Sequence, residues 1–503
     1  MRLRRELAPR FEDKGILFMR VHVLQSIRAA LLRARAAQAR QIERRASAKA
    51  PSDTQDDPGV PEALLVRVQD RLHIARLRQA PKTFRNRFAL WLALLGPGLL
   101  VMLGDNDAGG VITYSQTGAV YGLGIFLPIM IPLGFIAYFV QEMTIRLGAV
   151  TRRGHAELIW KRYGAFWGIF SIVDLVIANI LTLMTEFIGV RVGGEVFGLS
   201  YWLTVPLTLC FVGFVLVFLR YWTWERIALF IAALNLIFVP LALFSHPNWS
   251  AVGSAFVGAN WLVPGGLLSV GFLVLLSANI GTTIAPWQLF FQQSCIVDKG
   301  LLPHDIAASR RDLMLGVTGM VVVAMAIIIL TGQHLHALPN AASLNVNGIL
   351  SALKNHVGNW AMDLFALGLM EAGLIASIVI TASTAWAVGE ALDLPRSLND
   401  APRRAWAFYA PAVVGSAVAA GVVMLPHVPL GFLNITVQVI ATIFMPAAML
   451  FLLMLVNDEE LMGPYANSPR RNAIAVLIMA MLIICNGLYG LATVFPHLFG
   501  GTT

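Results

Sequence analysis

From Phe88 onward the sequence is a succession of apolar runs, each long enough to cross a bilayer and separated by short polar loops. In hydrocarbon the backbone of such a run must satisfy its own hydrogen bonds, and about 20 apolar residues per crossing do so as a helix. Eleven runs are readable, at 88–121, 124–147, 166–197, 201–219, 226–245, 264–296, 312–334, 361–390, 403–425, 429–456 and 472–496. The predicted fold class is therefore an all-α polytopic membrane protein with eleven transmembrane helices. Composition agrees: 57% of residues are hydrophobic and 13% charged, against roughly 25% charged in soluble domains. The mean hydropathy is +0.71.

The distribution of cations assigns the loops to sides. With the N-terminus inside, the inner loops carry Arg146, Arg152, Arg153, Lys161, Arg162, Arg220, Arg226, Lys299, Arg310, Arg311, Arg396, Arg403, Arg404, Arg470 and Arg471, and the outer loops only Arg191 and Lys354. The positive-inside rule then predicts an integral protein of the plasma (inner) membrane, with a cytoplasmic N-terminus and an external C-terminus. Residues 1–87 form a basic cytoplasmic extension, with 20 Lys+Arg against 9 Asp+Glu, whereas residues 88–503 carry 17 against 19. The net charge of +9 thus belongs to the extension, and nucleic-acid binding by the core is not indicated. Val21 to Ala46 can form a basic amphipathic helix on an anionic membrane surface. Its scarcity of acids also resembles a transit peptide, though the acidic residues of MRLRRELAPRFEDK fit that poorly. Ala50 to Pro61 reads as a polar, disordered linker. The cysteines Cys210, Cys295 and Cys485 all lie in apolar segments, so no disulfide framework is expected.

Two runs are interrupted. In the first, Gly104-Asp105-Asn106-Asp107-Ala108-Gly109-Gly110 follows FALWLALLGPGLLVML, and each acid in mid-membrane costs about 2.5–3.5 kcal/mol on insertion scales. Gly109 and Gly110 are expected to let the backbone leave the helix and expose carbonyls. A short loop between separate helices, or acids satisfied within the bundle, is the plainer alternative. In the sixth run Ser277 to Gln288 brings in polar residues, Gly281 and Pro286, whose missing amide frees carbonyls near Gly281 and Thr282. Spans one and six hold equivalent places in two five-helix halves. Paired interrupted helices of this kind predict inverted repeats with helices 1 and 6 unwound around a transport site.

GPGLLVMLGDNDAGGVITYSQTGA resembles the first span of Nramp metal-ion transporters, whose Asp-Pro-Gly-Asn break falls on Asp107-Ala108-Gly109-Gly110. GTTIAPWQLFFQQS is similar to the family's sixth-span motif, whose Met-Pro-His falls on Ala285-Pro286-Trp287. Thr185-Glu186-Phe187-Ile188-Gly189, Leu364 to Leu369, Gln438 and Met445-Pro446 are further echoes, and the resemblance spans about residues 88–456. The family aspartate is Asp107, but its asparagine is Gly110, its methionine Ala285, and its two histidines Trp287 and Gln292. These departures resemble the divergent Nramp-related magnesium transporters.

The resemblance implies a metal site at Asp107, Gly110, Ala285 and Gln438, and the chemistry of the breaks adds Asp105 for charge and the Thr282 hydroxyl for the ion's water shell. Alanine cannot discriminate for soft ions as a thioether does, and the small residues should widen the cavity. Mg²⁺ sheds water reluctantly and is held through one or two carboxylates with waters retained. Asp105 can instead cap the second half-helix or face the vestibule. The expected function is secondary-type import of divalent cations, Mg²⁺ first and also Mn²⁺, as partly hydrated ions without proton coupling. A proton-coupled Mn²⁺/Fe²⁺ importer is the alternative, with an amino-acid carrier or a metal sensor further off. No enzymatic motif, cofactor or obligate protein partner is indicated; the partners are divalent metal ions and the lipid bilayer. Glu371, Glu142, Asp174, Glu186 and Glu195 are further intramembrane acids. Glu186 falls on the family motif, and for Glu142, Asp174 and Glu195 a packing role is favoured. His334 and His336 have the spacing of a metal pair but read better as interfacial histidines.

Overall fold

Hydropathy places the helices, and satisfied polar groups set where they end. The computed structural model describes Thr83 and residues 95–494, apart from 259, 260, 262 and 264. The extension assigned to residues 1–87 therefore lies outside the described residues except for Thr83. The described chain is helical, and no strand occurs in it. Its helices are α1 (Pro97–Leu103), α2 (Ala108–Tyr121), α3 (Phe126–Thr151), α4 (His155–Tyr163), α5 (Ala165–Val196), α6 (Tyr201–Phe218), α7 (Tyr221–Leu234), α8 (Phe238–Phe244), α9 (Trp249–Phe256), α10 (Val270–Thr283), α11 (Pro286–Lys299), α12 (Ile306–His334), α13 (Val346–His356), α14 (Asn359–Ala391), α15 (Trp406–Met424), α16 (Leu430–Val456), α17 (Glu459–Met462) and α18 (Pro469–Val494).

Among the described residues ten segments are long and apolar enough to cross a membrane, and they coincide with predicted spans two to eleven. The predicted first span is seen from Leu95 as the short pair α1 and α2, neither half long enough to cross alone. Residues 88–94, its predicted start, lie outside the described residues. Two boundaries move. The seventh span starts at Ile306 rather than at 312, because Arg310 is paired with Glu142 and Asp312 spends its carboxylate on the amides of Gly96, Gly98 and Leu99. The sixth starts at Val270 rather than at 264, since Gly265 and Gly266 both have positive φ and Ser269 caps the helix through the Phe272 amide. That order, turn glycines then cap, is a helix start.

The loops that the cation bias put on one side meet at one end of the bundle. Glu142 of α3 receives Arg146, Arg310 and Arg471. Glu157 receives Lys161 and Arg396, and Arg162 reaches Asp458. These contacts join the loops after spans two, six, eight and ten. At the same end Lys299 is buried against Glu225 at 2.9 Å and bonds the Leu95 carbonyl at 2.6 Å. At the opposite end Arg191 bonds the Val423 carbonyl.

Two long helices, α5 and α14, form the scaffold behind the breaks. Gly193 lies where a Cβ would come within 2.7 Å of the Ala366 carbonyl, so glycine is what lets these backbones approach. The fifth span carries its own irregularity, a 3₁₀ turn at Asn235–Ile237 between α7 and α8, and it positions the first break.

Candidate metal-ion site

The first break is Gly104–Asp107, four residues between α1 and α2. This corrects the expected role of the paired glycines: Gly109 and Gly110 are helical, in the first turn of α2. They serve close approach instead. A Cβ on Gly109 would collide with the Gln438 side-chain nitrogen, and one on Gly110 would lie 2.6 Å from Thr282 Oγ1 and 3.1 Å from Asp107 Oδ1. At Gly110 the Thr282 hydroxyl and the Asp107 carboxylate lie where a side chain would have to go.

Asp107, not Asp105, caps the second half-helix, accepting the Gly110 amide at 2.5 Å. Glu186 of α5 takes the adjacent donor, with Ala108 N–H to Oε2 at 2.9 Å, while its Oε1 accepts from Thr185. Two acidic side chains thus satisfy the first amides of α2, at the end where the helix dipole is positive. The break is held from outside by Asn235, whose amide donates to the Asn106 carbonyl at 2.8 Å, and by the Met320 carbonyl, which accepts from Asn106.

The second break is two residues long, Ile284 and Ala285, both extended, with Pro286 opening α11. Ladder bonding stops at Ile284 N–H to the Ile280 carbonyl and resumes at Gln288 N–H to the Ala285 carbonyl. The last carbonyls of α10, and likewise those of α1, point out of their helices, and such ends favour a cation. Thr282 sits in that last turn of α10, its hydroxyl 3.5 Å from Asp107 Oδ1. Asp105 faces the other half, where the Gln288 side-chain amide donates to Oδ1; its Oδ2 is buried without a hydrogen-bond partner.

Asp105, Asp107, Thr282, Ala285 and Gln438 are all at most 4% exposed. The structure brings Asp107, Gly110 and Thr282 into direct contact. Gln438 is placed against Gly109, and its own amide nitrogen is unpartnered. Ala285 is the latter of the two extended residues of the second break and makes no side-chain cap to α11. Among the described residues no three His, Cys, Asp or Glu side chains are arranged to hold a metal ion. An ion at the breaks would therefore need oxygen from hydroxyl, amide, carbonyl or water beside the acids.

Three contributors fall outside the predicted site. Glu186, flagged as an intramembrane acid on the family motif, lies beside Asp107. Asn235 pins the break, and the only local signal for it was an amide within an apolar run. The Tyr114 hydroxyl is buried beside Thr282 and Thr283 and within electrostatic reach of Asp105 and Asp107. The other flagged groups lie elsewhere. Glu142 belongs to the ion-pair cluster already described, and Glu195 pairs with Arg191. Asp174 lines an apolar groove of about 420 Å³ with Phe166, Phe170 and Phe444. Glu371 is buried with neither oxygen hydrogen-bonded. His334 and His336 bind separate backbone carbonyls, of Ser245 and Ala119, which suits structural histidines.

The family model described as natural resistance-associated macrophage protein-like (Nramp) matches residues 98–492. Among curated proteins, the divalent metal cation transporter MntH of Ralstonia nicotianae is 28% identical over 424 residues, covering 79% of this chain and 91% of that protein. MntH of Aeromonas hydrophila is 26% identical, covering 78% of this chain and 94% of that one. A crystal structure of the Eremococcus coleocola manganese transporter superposes with a TM-score of 0.66 at 21% identity, covering 82% of this chain and 88% of that one. That likeness speaks for the fold. With the family model matching most of the sequence, the chain belongs to the Nramp family and is an integral membrane transporter, not an enzyme.

Proposed function

We propose that this transporter imports divalent metal cations, with Mg²⁺ as its main cargo and Mn²⁺ as a second, partly hydrated and without a coupled proton. Divalent metal cations are the cargo by which its relatives are named. The observation that carries the choice of Mg²⁺ is the donor set: Asp107, Asp105, Thr282 and Gln438 offer hard oxygen atoms, and Ala285 stands where the family's soft methionine falls. Oxygen ligands suit Mg²⁺, Ca²⁺ and Mn²⁺, whereas a thioether selects softer ions. Mg²⁺ held through one or two carboxylates, its remaining positions kept by water, needs no cluster of three protein acids. The buried hydroxyl and amides around the breaks can receive that water shell.

The reading without a proton rests on the absence of imidazole at the two family positions. Trp287 is packed on Phe291, and Gln292 accepts from Thr144 at 3.0 Å; neither titrates near neutrality, where histidine does. An inside-negative potential contributes about 2.3 kcal/mol per charge per 100 mV, or about 4.6 for a dication, enough to drive uptake. The competing reading is a proton-coupled Mn²⁺/Fe²⁺ importer, and Glu186 beside Asp107 is the feature that favours it.

In proteoliposomes with a valinomycin-set potential, Mg²⁺ at millimolar levels should enter and an internal pH dye should not respond. Exclusion of Mg²⁺ would overturn the choice of cargo. Acidification that tracks metal entry and disappears in Asp107→Ala would overturn the uncoupled reading and make Glu186 the first residue to mutate. A second expected outcome concerns selectivity. Ala285→Met should raise Mn²⁺ or Cd²⁺ binding relative to Mg²⁺, about tenfold if the thioether becomes a ligand. Unchanged ratios by calorimetry would mean that position 285 does not face the ion.

A further inference from the structure

Asp105 is the acid whose role the cargo reading leaves least defined, and its surroundings define it. Its Oδ1 accepts from Nε2 of Gln288, a residue in the first turn of α11. Gln288 is itself oriented from behind: its Oε1 accepts from Gln141 Nε2 of α3 at 3.1 Å. Gln141 Oε1 lies 3.3 Å from the Thr144 hydroxyl, whose single proton has closer acceptors in the Gln141 carbonyl at 2.8 Å and Gln292 Oε1 at 3.0 Å, so the chain of donors begins at Gln141. All four residues are buried. Reversing the Gln288 amide would set its oxygen against the carboxylate and its NH₂ against that of Gln141, so the two contacts together fix one orientation. The donors then run in one direction, from α3 through α11 to the first break, and end on a single carboxylate oxygen. Donors aligned in a low-dielectric interior polarise one another. No Lys, Arg or His forms an ion pair with Asp105 among the described residues, and this neutral amide chain takes the place of one.

We propose that Gln288, set by Gln141, is the positioning residue for Asp105: it occupies Oδ1 and thereby aims the unpartnered Oδ2 at the transported ion or its water shell. The chain also couples the two interrupted helices, since the acid lies on the first break and the amide just past the second. A shift of α11 relative to α1 would withdraw the donor and change how Asp105 meets the ion.

This proposal rests on the cargo reading only in treating Asp105 as facing a divalent cation. Its test is a double-mutant cycle on uptake in proteoliposomes, with apparent KM and Vmax resolved. Gln288→Leu should raise the KM for Mg²⁺ about tenfold, the loss expected for a hydrogen bond to a charged group, and leave Vmax within about twofold. Gln141→Leu should shift KM in the same direction by less. In an Asp105→Asn background Gln288→Leu should add nothing, because the carboxylate that it positions is gone. Gln288→Asn, which keeps the donor on a shorter stem, should fall between wild type and Gln288→Leu, and it carries the test if the leucine variant is not recovered from the membrane. A Gln288→Leu effect that persists in full in Asp105→Asn, or one confined to Vmax, would overturn the proposal. If wild type carries Mn²⁺ but excludes Mg²⁺, the cargo reading falls, and the same cycle run with Mn²⁺ still decides the role of Gln288.

Discussion

Asp107→Asn should reduce divalent uptake by at least about 100-fold while the protein still inserts and folds, the loss expected when a buried charge loses its partner. The structure makes asparagine the informative substitution. Asp107 does two things: it carries charge at the break, and it caps α2 through the Gly110 amide at 2.5 Å. Asparagine retains the cap, since Asn and Asp serve about equally well at that position. It removes only the charge. Asp107→Ala removes both, but Glu186 still accepts the Ala108 amide, so the half-helix keeps one of its two acidic caps. The alanine variant should then cost only about 1 kcal/mol of further stability, visible as a modest fall in detergent melting temperature. Uptake separates these roles. Near-normal transport by Asp107→Asn, in protein with a wild-type elution profile, would remove the Asp107 charge from the ion's path.

The helices were legible because hydrocarbon permits few alternatives, and their order along the chain follows the apolar runs closely. The ends were less so. Arg310 looks like a loop residue by polarity, yet it lies within α12 because Glu142 satisfies it; a partner more than 160 residues away leaves no mark on the local pattern. The two breaks were legible as well, being polar residues, glycines and a proline where none belongs. What each residue does there was not. A glycine pair is equally a hinge and a close contact in sequence, and only the approach of Thr282 and Gln438 decides for contact at Gly109 and Gly110. In the same way Asp105 and Asp107 are two acids two residues apart, and the extended backbone at Asp107 makes that one the cap. Gln141, Gln288 and Asn235 carried no stronger signal than an amide in an apolar run. Such an amide has to find a partner, but the sequence does not say which.

The second large effect expected is a steric one, and it reverses a simple reading of the site. If Gly110 merely left room, Gly110→Asn would narrow the cavity and tune selectivity. With Thr282 Oγ1 2.6 Å from where its Cβ would be and Asp107 Oδ1 at 3.1 Å, the substitution must instead push one of them aside. Thr282 is β-branched and stiff about χ1, and it sits in the closing turn of α10, so it cannot simply swing away. Overpacking at such a contact costs about 1–3 kcal/mol, and the strain falls on Asp107, the acid proposed to meet the ion. Gly110→Asn alone should therefore leave less than about one-tenth of wild-type divalent-cation uptake. Thr282→Ala removes the obstructing hydroxyl and should have a mild effect by itself, because its 3.5 Å contact with Asp107 is at the weak limit of hydrogen bonding. The double variant Gly110→Asn/Thr282→Ala should then recover transport that Gly110→Asn lacks, and adding Ala285→Met to it should shift preference toward Mn²⁺ further than Ala285→Met does alone. The measurement is initial uptake rate for the four combinations at positions 110 and 282, with surface expression matched. An active Gly110→Asn, or a double variant no better than the single, would mean that the contact between Gly110 and Thr282 does not persist in the state that carries the ion.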